Sequence, residues 1–167
     1  MKRFVIVFDN EPAESAPWIQ GACASSRLSL VDNAAITDVL ARNPEARPLL
    51  TGNTGENPKL APFYKAALDQ VAGDKPRVGL YSTSWLRYLG QAEGCVLDFA
   101  GLEEQRTLGL ATGIAQKIAD DYVAKYSAQL QERARKVLPA ERILVLAARE
   151  STARKAELAA AFIQKLG

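Results

Sequence analysis

At 167 residues, with 48% hydrophobic and 24% charged residues, the chain fits one domain of ordinary globular balance, which excludes disorder, a fibre or a coiled coil. Twenty-one Lys and Arg against 19 Asp and Glu leave a formal charge of +2 with the signs interspersed, so no nucleic acid is expected as partner, and no apolar run is long enough to cross a membrane. There is no histidine, which removes Ser-His-Asp and Cys-His nucleophiles, histidine acid–base work and histidine-ligated metals, and leaves carboxylates, hydroxyls, Cys, Tyr, Lys and Arg to carry any chemistry.

The first predicted element is a strand over 3–8, an apolar and β-branched run that stops on Asp9, Asn10 and Glu11. That run is too short for a secretory signal, so a cytoplasmic location is expected. A helix over 17–26 follows, apolar and rich in small residues suited to close packing. Its Cys23 and the later Cys95 lack CxxC spacing, so they read as reduced, buried thiols rather than a zinc site or a disulfide. Asp32 or Asn33 is a good N-cap for a helix over 34–41, where Ala35, Ile36, Val39 and Leu40 fall at helical spacing and Asn43-Pro44 supplies the stop. Leu49-Leu50 then leads into Thr51-Gly52-Asn53-Thr54, read either as a short fifth strand and a turn or as all loop.

A helix beginning at Pro58 or Pro62 runs to Ala72, and a strand over 77–81 ends on Ser82, Thr83 and Ser84, where the cap of a short helix over 85–89 belongs. Another short strand over 95–99 ends near Asp98. The longest helical pattern covers 108–138, with its N-terminal half expected on the core and its C-terminal half in solvent. Asp121 with Lys125 and Glu132 with Lys136 are acid-before-base pairs four apart, and Tyr122 and Tyr126 belong to a stripe expected to be packed. Pro139 stops the helix. A last strand over 142–148 precedes Arg149, and Ser151 or Thr152 caps a final helix ending at Leu166.

Strands separated by helices of this length point to right-handed βαβ units, hence a three-layer α/β/α sandwich around a mainly parallel sheet of four or five strands. Ligands of such sheets bind outside the carboxyl ends of the strands, and the polar strand ends all fall on that edge. Asp9 and Glu11 are therefore the expected catalytic residues, as nucleophile or general base, with Asp9 also the expected ligand of a metal such as Mg²⁺. Asn10, Ser82, Thr83, Ser84, Arg149, Ser151 and Thr152 are the expected binding groups, since the free amides of a helix start favour an anion such as phosphate. Each hydroxyl cluster also reads simply as an N-cap, worth about 1 kcal/mol to its helix.

Asp9 after an apolar strand, with a hydroxyl of Ser82 or Thr83 at the end of a later strand, resembles the haloacid dehalogenase pattern, whose first aspartate is the nucleophile. Glu11 stands where that pattern has a second aspartate, and Arg149-Glu150 where it has an acidic pair. The same strand end resembles the acidic start of response-regulator receivers. Thr51-Gly52-Asn53-Thr54 is similar to the phosphate loop of flavodoxins, although the same residues suit a tight turn. Two functions are expected from this reading. One is a phosphate- or nucleotide-handling enzyme with a small phosphorylated ligand at the sheet edge. The other is a non-catalytic α/β interaction or self-association domain, a homo-oligomer formed through the long helix and the segment 18–30.

Overall fold

The computed structural model describes residues 3–8, 16–50, 58–75, 77–81 and 92–166. The chain alternates between strands and helices: β1 (Arg3–Phe8), α1 (Ala16–Ser25), β2 (Ser29–Asp32), α2 (Asn33–Arg42), α3 (Arg47–Leu50), α4 (Ala61–Ala72), β3 (Arg77–Tyr81), β4 (Ala92–Asp98), α5 (Ala100–Ala111), α6 (Gln116–Arg135), β5 (Ile143–Leu146) and α7 (Thr152–Leu166). The strands align in the order β2-β3-β1-β4-β5, every neighbouring pair parallel.

Strand alternation divides the core in two. Cys95 and Leu97 of β4 join Val31 and Val78 in one apolar cluster, with Ile36 and Leu40 of α2, Tyr64 and Leu68 of α4, Leu102 of α5, and Leu130 and Ala134 of α6. Val96, the residue between, points the other way, into a cluster of Trp18, Ile19, Ala22 and Cys23 from α1, Leu146, and Ala159 and Ile163 from α7. Gly79 permits the close approach of α1, because a Cβ there would stand 3.0 Å from the Cys23 sulfur.

This architecture corrects the expected three-layer sandwich around a large sheet. The described chain is mostly helical, and its strands are only four to seven residues long. The sheet is a narrow strip within a helical mass, and each edge strand pairs over four residues. Its helical sides are unequal, with α2, α4, α5 and α6 on one and only α1 and α7 on the other. Leu49 lies in the short helix α3, not in a strand; the Asn43 side chain accepts the amides of Glu45 and Ala46 and turns the chain into it. The strand missing from the sequence expectation is β2, four residues that run straight into α2 and carry too little periodicity to announce themselves. The last strand is shorter than expected, and β4 starts at Ala92.

The expected helix over 108–138 is two helices. The chain breaks at Gly113, whose φ of 93° lies in the left-handed region that favours glycine, and the Ile114 amide donates back to the Gly109 carbonyl. The burial along α6 is also the reverse of the expectation: Leu130 and Ala134 of its C-terminal half are buried, while Ile118, Tyr122 and Tyr126 are exposed.

Candidate functional site

The strand ends that the structure describes are organised by one buried ion pair. Asp98 closes β4 with its side chain 1% exposed, and Lys155, in the first turns of α7, is 5% exposed. The Lys155 ammonium donates to both carboxylate oxygens, at 2.9 Å to Oδ1 and 2.8 Å to Oδ2. Oδ1 also accepts the Ala100 amide at 3.0 Å, one of the amides that the first turn of α5 cannot satisfy internally. One carboxylate thus starts α5 and anchors α7 to the middle of the sheet.

The groups after β5 serve the same helix. The Ser151 hydroxyl accepts the Arg154 amide at 3.2 Å and its carbonyl accepts the Lys155 amide at 2.9 Å, so Ser151 is an N-cap. Thr152, the first residue of α7, is exposed, and so is Arg149. Arg149 contributes to the field at Glu103 in the first turn of α5. The Glu103 carboxyl is held below its usual range first by its hydrogen bond from Arg106, against a smaller opposing effect of burial, and then by the charges of Arg106 and Arg149.

Of the sequence-predicted site residues, the structure brings Asp98, Arg149, Ser151 and Thr152 to the carboxyl edge of β4 and β5. Asp9, Asn10, Glu11, Ser82, Thr83 and Ser84 lie outside the described residues, as do Thr51 to Thr54 and the expected helix over 85–89. The expected catalytic pair and the expected metal ligand are among them. The described residues give no support to phosphate or nucleotide binding: the Ser151 hydroxyl is spent on its own helix and Lys155 on Asp98, and this corrects the phosphate expectation at that helix start. Among the described residues no group of three or more Cys, Asp or Glu is placed to hold a metal ion, and no helix is long and apolar enough to cross a membrane.

Lys155 is the residue sequence reasoning missed. A signal for it exists: Lys155, Ala159 and Ile163 recur every four residues and share the buried face of α7, so a lysine interrupts an otherwise apolar stripe.

The connections leaving the two middle strands part company at this edge. From β1 the chain turns toward β2 through α1, on the side of Trp18 and Ile19. From β4 it turns the opposite way, toward β5, through α5 and α6 on the side of Leu102 and Leu130. The strand order therefore reverses between β1 and β4, which pair up to Phe8 and Leu97. Neither a scan against protein-family models nor a search of curated proteins finds a match for the chain.

Proposed function

We propose that the protein handles a small polar ligand at the carboxyl edge of its sheet, above the ends of β1 and β4. The observation that carries this reading is the reversal of the crossovers at that point, because oppositely directed connections separate and leave a crevice that open parallel sheets use for ligands. Asp9, Asn10 and Glu11 directly follow β1 in the sequence. In this reading Asp9 and Glu11 supply the reactive carboxylates, with a divalent metal on Asp9, and Asp98 with Lys155 forms a fixed wall that positions the start of α5 and orders the floor.

The test is a thermal-shift screen of sugars, amino acids, carboxylic acids and nucleosides, each with and without Mg²⁺, on the wild-type chain and on Asp9→Asn. A hit is then mapped by amide chemical shifts. The expected result is a ligand that raises the melting point of the wild type, perturbs the amides of residues 98–100, and loses its effect in Asp9→Asn while the unliganded variant melts as before. A ligand whose effect survives the substitution, or a panel with no hit, counts against the reading.

A further inference from the structure

The hairpin of α5 and α6 carries an apolar surface that nothing in the fold covers. Ile118, Tyr122 and Tyr126 recur every four residues along α6 and are 63%, 52% and 37% exposed; Leu108 of α5 and Ile114 at the joint extend the patch. The two tyrosine rings stack with centroids 5.9 Å apart and planes 4° apart, so this is an ordered surface. The core-facing side of α6, marked by Ala119, Leu130 and Ala134, lies about a quarter turn away around the helix. Burying one face therefore leaves the other open.

Asp121 and Lys125 lie side by side along one flank of this stripe. Among the described residues they form no ion pair, although Glu132 and Lys136, at the same spacing on the same helix, close to 3.0 Å. The flank thus offers one charge of each sign, in an order that selects neither a strongly acidic nor a strongly basic partner.

We propose that this face is where two copies of the chain meet, with α6 of each lying antiparallel to the other about a twofold axis near Tyr122. In that register Ile118 of one copy falls opposite Tyr126 of the second. Asp121 of one copy lies about two residues, roughly 3 Å, along the axis from Lys125 of the second. The twofold repeats that contact, so both unsatisfied charges are paired twice by one arrangement, as an isologous interface requires. Antiparallel helix dipoles add to the preference. Five large apolar side chains from each copy place the contact at the low end of specific interfaces, near roughly 1,000 Å² in total, so the dimer forms at roughly micromolar concentration. The assignment is independent of the ligand reading at the sheet edge.

Sedimentation velocity of the full chain over a wide concentration range tests it. A reversible monomer–dimer equilibrium is expected. Ile118→Glu abolishes it with the monomer melting unchanged, because that side chain is outside the core; Tyr122→Ser serves as a second variant should the first not fold. Asp121→Lys sets like charges opposite each other and weakens the dimer about tenfold. The exchanged pair, Asp121→Lys with Lys125→Asp, restores it. A chain that stays monomeric at every concentration, or a dimer that survives Ile118→Glu and Tyr122→Ser, overturns the assignment. Failure of the exchanged pair to rescue Asp121→Lys overturns the antiparallel register.

Discussion

Lys155 and Asp98 stake more on each other than any other described pair. A buried ion pair recovers its desolvation cost only when its geometry and additional hydrogen bonds are good, and here the ammonium meets both oxygens while Ala100 takes a further contact. Removing one partner is the expensive change. Lys155→Met leaves the Asp98 charge buried among β4, α5 and α7, and the expected loss is about 3–5 kcal/mol in a urea melt. Adding Asp98→Asn to that variant removes the charge while an amide oxygen continues to accept the Ala100 amide, and the double variant is expected to recover most of the loss. Equal destabilisation of the single and double variants would show that packing of the lysine stem, not charge, is what matters. The cysteines behave differently: burial alone pushes the Cys23 thiol up to about 11 and the Cys95 thiol up to about 12. Both stay protonated at neutral pH and act as small apolar side chains, as their lack of CxxC spacing implied.

At the scale of elements, α5 and α6 are joined by Arg106, which donates to Glu103 within its own helix and to Asp120 of α6 at 2.9 Å. Glu103 is held below its usual range in the folded chain, so in acid the unfolded chain binds the proton first. The contribution of Glu103 is therefore complete at neutral pH and disappears as pH falls through its folded value. Glu103→Gln is expected to melt below the wild type at neutral pH, with the gap closing on acidification, as circular dichroism melts across pH would show; a gap that widens in acid contradicts this sign. How much of such detail the sequence discloses depends on what punctuates it. The strands at 3–8 and 77–81 are legible because β-branched runs end on polar residues, and Ser151 is legible as a cap because it precedes an apolar helical pattern. The strand at 29–32 is not, since no turn separates it from α2, and the break at Gly113 hides inside residues that keep helical spacing on both sides. Periodicity assigned Tyr122 and Tyr126 to one face but carries no information on whether anything covers that face; the expectation of a packed stripe failed there. Asp98 is legible as a strand end, whereas its partner lies 57 residues further on and only folding brings them together.

For the whole molecule, the order of strands predicts where the structure opens. β4 lies between β1 and β5, is buried from Gly94 to Asp98, and is pinned at its carboxyl end by Lys155. β2 and β5 are edges with four paired residues each, and Leu30 and Val145 on them are 38% and 40% exposed. Amides of β4 should therefore exchange with solvent only when the whole fold opens, while those of β2 and β5 open locally and exchange about tenfold faster or more. The proposed ligand site sits above the slow part, so its floor is rigid and any adaptation to a ligand falls to the connections that leave it. Native-state hydrogen exchange read by NMR distinguishes the alternatives. If β5 is as protected as β4, then the outer side of β5 is not a free edge in solution, because an isolated edge strand has no second set of backbone partners to slow it. Protection at β5 that rises with protein concentration would place a second copy there, and so compete directly with α6 as the surface through which the chain pairs.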